Sequence, residues 1–203
     1  MTDTRIYLAS RSPRRRELLT QIGVHFELLM FREPPRHDHE VNEDEHPGET
    51  PEVYVQRVAL AKAEHALRLL AHRHVPPRPV LAADTTLDCG GGVVGKPRNE
   101  ADAMGILGRL SGTTHRVLTS VVVADATRTE QVLSVSEVRF RTLDADEIAR
   151  YVRSGEPMDK AGAYGIQGRA AMFIEEIRGS HSGIVGLPLC ETAQLLKHFG
   201  FKL

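Results

Sequence analysis

Residues 6–19 read IYLASRSPRRRELL, and this stretch sets the beginning of the fold. Its first four residues are apolar and predict a short buried strand. Ser12 followed by Pro13 is typical of a helix start, with serine as the N-cap and proline in the first turn. The helix is expected to end at Gly23, because glycine favours helix C-termini.

The rest of the chain continues as a mixture of strands and helices. The patterns predict strands over residues 25–31, 80–87, 117–124, 131–140 and 171–177, and helices over 51–72, 99–110 and 187–198, with a further capped helix starting at Asp144. Residues 32–50 are predicted to form an exposed loop. The apolar alternation changes phase after Val135, which predicts a bulge. The mixture predicts an α/β fold whose sheet is mixed rather than wholly parallel.

Composition limits the classes of function. The chain has 203 residues, enough for one domain or two closely joined lobes, and a formal net charge of −1. This balance argues against a general nucleic-acid or membrane binder, and no apolar run reaches the roughly 18 residues of a membrane span. The N-terminus lacks the apolar core of a signal peptide, so we expect a cytoplasmic protein. Cys89 and Cys190 are expected to be reduced thiols.

Three arginines follow Pro13 in the first helical turn. They oppose the partial positive charge of a helix N-terminus, unless an anion is bound there. The pattern is therefore consistent with a phosphate cradle. A solvated basic patch, or arginines paired with the acidic loop, explains it equally well.

Three other positions are candidates for chemistry. Lys62 interrupts the apolar stripe of its helix, either by extending to solvent or by pointing at phosphate oxygens. Asp84 ends or interrupts an apolar strand, where it can bind a metal, orient a water or cap a turn. Lys96, in Gly95-Lys96-Pro97, puts a cation before a helix, although the spacing is not that of a Walker motif.

Two polar segments complete the candidates. The acidic loop contains Glu43, which is either a solvated side chain or a metal ligand. Residues 154–168, the glycine-rich stretch, contain four glycines, which can bring backbone close to a ligand. Within them Gln167 carries an amide suited to reading the edge of a base, or serves as an ordinary glutamine of a surface loop.

Together these segments resemble the Maf family of nucleotide pyrophosphatases over nearly the whole chain. The matching motifs are Leu8-Ala9-Ser10-x-Ser12-Pro13-Arg14-Arg15-x-Glu17-Leu18-Leu19, Tyr54-Val55-x-Arg57-Val58-Ala59-x-x-Lys62-Ala63, Ala83-Asp84-Thr85, Gly95-Lys96-Pro97 and Leu110-Ser111-Gly112-x-Thr114-His115. Residues 159–168, DKAGAYGIQG, and residues 185–189 resemble the branch that acts on dTTP and UTP rather than the 7-methyl-GTP branch.

The resemblance implies a single catalytic domain over residues 1–203. Its expected fold is Maf-like, similar to the ITP-pyrophosphatase-like fold: a mixed twisted sheet with flanking helices and two lobes around a cleft. It also implies a homodimer, and a divalent cation, Mg²⁺ or Mn²⁺. The expected substrate is a nucleoside triphosphate, with dTTP and UTP hydrolysed to the monophosphate and pyrophosphate.

The same resemblance implies roles for individual residues. Asp84 matches the proposed general base, with Lys62 and Lys96 as phosphate-site cations. Glu43 matches a carboxylate implicated in catalysis or metal binding, and Asp84 is the other expected metal ligand. The positions that match substrate contacts are Ser10, Arg14, Arg15, Thr85 and Gln167.

Two alternatives from other classes stay open at this point. The first is a nucleotide-binding regulator of cell division without turnover, although such a protein would not need Asp84 or Lys96. The second is an RNA-binding module, which the near-neutral charge and 5% aromatic content disfavour.

Overall fold

The computed structural model describes residues 5–29 and 41–203, which form one seven-stranded sheet with six α-helices. The strands are β1 (Arg5–Leu8), β2 (His25–Leu28), β3 (Val80–Asp88), β4 (Val93–Val94), β5 (Thr114–Ala124), β6 (Thr129–Phe140) and β7 (Ile174–Arg178). The helices are α1 (Pro13–Gln21), α2 (Pro51–Arg73), α3 (Glu100–Leu110), α4 (Ala145–Val152), α5 (His181–Val185) and α6 (Leu189–His198). The predicted α/β class is confirmed.

The sheet is mixed, as the sequence predicts. Its order is β2-β1-β3-β5-β6-β7, with β4 also paired to β3. β1 pairs parallel with both β2 and β3, whereas β5 pairs antiparallel with β3 and β6, and β7 pairs antiparallel with β6. Among the described residues, no helix has the length and apolar content that a membrane span requires.

Helices cover both faces of the sheet. The apolar stripe of α2 packs on one face, against residues of β1, β3 and β5 that include Val80 and Ala82. Because side chains alternate along a strand, Leu81 and Ala83 face the other way, toward α1 and α6. A third apolar cluster packs around α3 and α4 and includes Leu87 of β3.

A gap in strand pairing separates the two ends of β3. On one edge, β5 pairs with β3 along its whole length. On the other edge, β1 pairs with β3 only as far as Leu81, and β4 begins at Leu87. Residues 82–86 therefore have no strand partner on that edge within the described part of the chain. We define the cleft as this gap between β1 and β4, while the two-lobe arrangement around it stays a prediction.

Helix caps predicted from the sequence form as expected. The side chains of Ser12 and Asn99 accept backbone hydrogen bonds at the starts of α1 and α3, and Thr50, which was not predicted as a cap, does the same at α2. At α4, Asp144 and Glu147 form a reciprocal capping box. The two cysteines form no disulfide, also as predicted.

Three expectations about local structure are wrong or incomplete. The β5–β6 register is regular throughout, so no bulge follows Val135. The apparent phase change arises because Val135 is exposed while Ser134 and Ser136 are buried. The pairing of β6 with β7 does shift register, between Arg139 and Phe140. The predicted strand at 171–177 begins only at Ile174, and α5 was not predicted. The end of the predicted strand 25–31 and residues 32–40 of the predicted loop lie outside the described residues, while residues 41–50 of that loop are largely exposed, as predicted.

Candidate active site

Lys62 joins two carboxylates at the centre of the cleft. Its Nζ lies 2.7 Å from Asp84 Oδ1 and 2.8 Å from Glu43 Oε1. Asp84 is buried in the middle of β3, whereas Glu43 comes from an exposed loop before α2. The lysine on the apolar stripe therefore does not extend to solvent; its ammonium group contacts both carboxylates and offsets part of their negative charge.

Arg15 lies on the opposite face of β3 and forms three hydrogen bonds there. Its guanidinium donates to Ser10 Oγ at 3.1 Å, to Thr85 Oγ1 at 3.1 Å and to the Gly186 carbonyl at 2.8 Å. Thr85 also shares a 2.9 Å hydrogen bond with Thr119, which donates to the Gly183 carbonyl. Burial lowers the pKa of Arg15, while the negative charge of Asp84 opposes that shift. The first turn of α1 thus presents a fixed cation rather than a solvated patch.

The pairing gap lets both faces of β3 reach one cleft. Asp84 and Thr85 are consecutive and point to opposite sides of the sheet, and both lie within the unpaired stretch 82–86. A polyanion in the gap can therefore meet Lys62 on one side and Arg15 on the other. A complete sheet would have separated these two cations.

The Gly95-Lys96-Pro97 segment borders the same gap, since it follows β4 directly. Lys96 is exposed, and within residues 5–29 and 41–203 it makes no hydrogen bond or ion pair. Its backbone is nevertheless fixed, because the Gly95 carbonyl accepts from Gly162 N at 3.0 Å. This contact ties the lysine segment to the glycine-rich stretch.

Arg14 connects α1 to the glycine-rich stretch. Its Nη1 lies 3.4 Å from Asp159 Oδ2, and Asp159 also pairs with Lys160. Gln167 is exposed in a turn closed by the bond from Gly168 N to the Gly165 carbonyl. No described contact joins Gln167 to the carboxylates, so its role as a base reader stays a prediction.

Carboxylates for a divalent cation are present in limited number. No cluster of three or more His, Cys, Asp or Glu side chains suited to a metal occurs in the described ranges. Asp84 and Glu43 nevertheless converge on a single point, now occupied by Lys62 Nζ. Mg²⁺ is typically bound by one or two carboxylates together with waters and substrate phosphates. The donor set fits that kind of site.

Several features of this site were not predicted from the sequence. Asp84 lies four residues before the end of β3 rather than capping a turn. Thr119 forms a hydrogen bond with Thr85. The sequence indicates this residue only in that it is polar and lies within an apolar strand. Arg57 was part of a recognised motif, but nothing in its spacing indicated that it contacts the loop carrying Glu43.

Comparison with known proteins agrees with the geometry. The chain matches the model of the family described as Maf-like protein over residues 5–199. It is 64% identical to the dTTP/UTP pyrophosphatase of Aromatoleum aromaticum, covering 98% of this chain and 97% of that protein. It is 59% identical to the protein of the same name from Dechloromonas aromatica, covering 98% of each.

A solved structure with low sequence identity supports the fold. The Staphylococcus aureus Ham1 protein superposes with a TM-score of 0.55 at 17% identity, covering 97% of this chain and 100% of that one. At this identity the likeness concerns the fold alone. It confirms the expected Maf-like architecture.

Proposed function

Because this chain belongs to the Maf family, we propose that its cleft hydrolyses dTTP and UTP to the nucleoside monophosphate and pyrophosphate. The observation that carries the proposal is the position of Lys62 between Asp84 and Glu43, at a gap in the sheet that Arg15 borders from the other face. The names of the relatives from Aromatoleum and Dechloromonas support the choice of nucleotides.

Cations on both sides of the gap would hold the triphosphate. Arg15 offers a planar fork of donors, which suits phosphate oxygens, and Lys62 and Lys96 add mobile ammonium groups. Ser10 Oγ, which accepts from Arg15, lies at the start of the turn before α1. These groups neutralise charge that develops on the leaving pyrophosphate, which is the main contribution that a protein makes to phosphoryl transfer.

Asp84 is the group best placed to act on water. It is buried, ionisable and already fixed by Lys62 at 2.7 Å. When phosphate oxygens draw Lys62 away, the freed carboxylate oxygen can accept a hydrogen bond from a water and orient it toward the anhydride linkage between the α and β phosphates. The water's proton passes to this carboxylate while its oxygen forms a bond to the α phosphorus. The bond from that phosphorus to the oxygen bridging to the β phosphate breaks, and pyrophosphate leaves.

Asp84 or Glu43 would hold the divalent cation, together with phosphate oxygens. Because a carboxylate that holds a metal is a poor base, Asp84 is not expected to fill both roles at once. When bound, Mg²⁺ or Mn²⁺ supplies charge neutralisation at the phosphates. The two carboxylates are then not interchangeable. Asp84 is on a rigid strand, while Glu43 depends on its loop for its position.

The base would lie toward the glycine-rich stretch. Arg14 already contacts Asp159 of that stretch, and Gln167 is exposed in it with a free amide among the described residues. Thr85, held by Arg15 and Thr119, borders the same cleft. These three residues match the family positions that select the substrate.

Two further expectations belong with this proposal. We expect a homodimer, as the family resemblance implies, which the mass of the protein in solution measured by light scattering tests. We also expect a cytoplasmic location, which fractionation of the source cells tests.

Product analysis tests the proposed reaction. The purified chain is incubated with dTTP or UTP and with Mg²⁺ or Mn²⁺, and the products are separated by anion-exchange chromatography. We expect the nucleoside monophosphate and pyrophosphate in equal amounts. Release of the diphosphate and inorganic phosphate would place the cleavage at the wrong linkage and contradict the proposal.

A further inference from the structure

Two side chains of α2 hold three consecutive carbonyl groups of the loop that carries Glu43. Arg57 Nη1 donates to the Asn42 carbonyl at 3.5 Å, and Arg57 Nη2 donates to the Asp44 carbonyl at 2.8 Å. Between them, the Glu43 carbonyl accepts from Tyr54 Oη at 2.9 Å. Because Tyr54 and Arg57 are three residues apart, they lie on one face of the helix. The loop backbone is therefore fixed to α2 on both sides of Glu43.

A partly buried ion pair holds the arginine in this orientation. Arg57 Nε and Nη2 donate to the two carboxylate oxygens of Glu49 at 2.6 and 2.8 Å. Only 4% of the Glu49 side chain is exposed, and the bond from Arg57 lowers the pKa of Glu49 to about 2. A paired fork of this kind fixes the plane of the guanidinium. The remaining donors then point at the loop carbonyls.

The position of Glu43 follows from this arrangement. Its side chain is about half exposed, so little packing restrains it, yet Oε1 lies 2.8 Å from Lys62 Nζ. Lys62 is on the same helix as Tyr54 and Arg57. One rigid element thus carries both the groups that hold the loop and the cation that Glu43 contacts.

We infer that Arg57 is a positioning residue for Glu43, which it keeps beside Lys62 and Asp84 by binding the loop backbone at residues 42 and 44. This inference rests on the proposed function, since it assigns Arg57 a role in the same reaction. It follows that Lys at position 57 is a poor replacement, because a single ammonium group cannot hold Glu49 and two carbonyls together.

Steady-state kinetics with dTTP tests the inference through a double-mutant cycle. The variants are Arg57→Gln, Arg57→Lys, Glu43→Gln and the double variant Arg57→Gln with Glu43→Gln. We expect Arg57→Gln to lower kcat by roughly 10- to 100-fold, as does Glu43→Gln, because a displacement of about 1 Å can cost that much. The double variant should be no slower than Glu43→Gln within about threefold, since both changes remove one contribution.

Arg141→Gln is the matched control. Arg141 also forms a two-bonded pair with a carboxylate, Glu147, at 2.9 and 2.6 Å, but at the start of α4 and away from the cleft. We expect this variant to keep kcat within about twofold of wild type. Equal losses in the Arg57 and Arg141 variants would mean that a general loss of stability explains both, and would overturn the inference.

Hydrogen exchange separates this inference from the reaction itself. Backbone amides of residues 42–49 should exchange faster in Arg57→Gln than in wild type. Their exchange rates should be the same in Arg141→Gln as in wild type. Two results would overturn the positioning role alone, provided that the wild type is active. One is a loss of kcat in the double variant equal to the product of the two single losses. The other is an unchanged exchange rate of the loop amides in Arg57→Gln. A wild type without turnover on any nucleotide contradicts the proposed function, while the exchange measurement still decides whether Arg57 holds the loop.

Discussion

Asp84 and Thr85 are neighbours in β3, yet they serve opposite faces of the sheet and border one cleft. Asp84 pairs with Lys62 of α2, and Thr85 accepts a hydrogen bond from Arg15 of α1. Both lie where β3 has no strand partner between β1 and β4. The adjacent pair thus links the carboxylate site to the arginine site through the thickness of the sheet.

Removing the charge of Lys96 should weaken substrate binding without affecting the fold. Lys96 is exposed and has no described partner, so Lys96→Met removes no contact of the free protein. A hydrogen bond between charged groups contributes about 1.5–3 kcal/mol, which predicts a loss of roughly 10- to 100-fold in kcat/KM. Steady-state kinetics and thermal unfolding measure the two effects. A lowered Tm with unchanged kcat/KM would mean that Lys96 has a structural role instead.

Gly162 should tolerate no side chain, because two separate penalties meet there. Its φ is +73°, and an added Cβ would lie 2.1 Å from Leu87 Cδ2. Gly90 has the same φ of +73° with nothing within 4 Å of an added Cβ. We expect Gly90→Ala to cost about 1 kcal/mol of unfolding free energy and Gly162→Ala about 2–4 kcal/mol.

Chemical denaturation of both variants measures this difference. Equal costs at the two positions would show that Leu87 moves aside without penalty. In that case Leu87 of β3 packs loosely against Gly162, even though the Gly162 backbone is held by its hydrogen bond to the Gly95 carbonyl.

Protonation of His115 should destabilise the protein in mild acid. His115 is buried against Phe140, its Nε2 lies 2.8 Å from Tyr164 Oη, and burial lowers its pKa from 6.5 to about 4. Between these values the unfolded chain binds a proton at this ring and the folded chain does not. The free energy of unfolding therefore falls as the pH drops from 6.5 toward 4, by about 3 kcal/mol for this group.

Urea denaturation across this pH range isolates the contribution. We expect His115→Gln to remove most of the decrease between pH 6.5 and 4, while His25→Gln, at an exposed position in β2, should retain it. The same slope in the His115 variant and in wild type would assign the acid sensitivity to other groups.

Local patterns were sufficient to predict most elements. The stripe of α2, which includes Val55, Ala59 and Ala66, is buried as its spacing indicates, and Ser12 and Asn99 cap their helices. These features depend on residues close in sequence, so the sequence pattern contains them. Lys62 could be recognised as anomalous for the same reason, although its spacing did not decide between extension to solvent and a partner in the site.

Features that depend on distant pairing could not be predicted. The gap beside residues 82–86 results from where β1 ends and β4 begins, and neither strand has a pattern that fixes this end. The partners of Arg15 come from residues 10, 85 and 186. The predicted bulge in β6 is wrong because Val135 is exposed beside two buried serines, which inverts the usual relation between polarity and burial.

Pyrophosphate release by wild type and by Asp84→Asn, over a panel of nucleoside triphosphates with Mg²⁺ or Mn²⁺, tests the central claim most directly. We predict turnover of dTTP and UTP above that of purine nucleotides, and a loss of roughly 100-fold or more in kcat for Asp84→Asn. Preference for a guanine nucleotide would contradict the choice of substrate. An Asp84→Asn variant with near wild-type kcat would contradict the assignment of Asp84, and nucleotide binding without any turnover would contradict the enzyme itself.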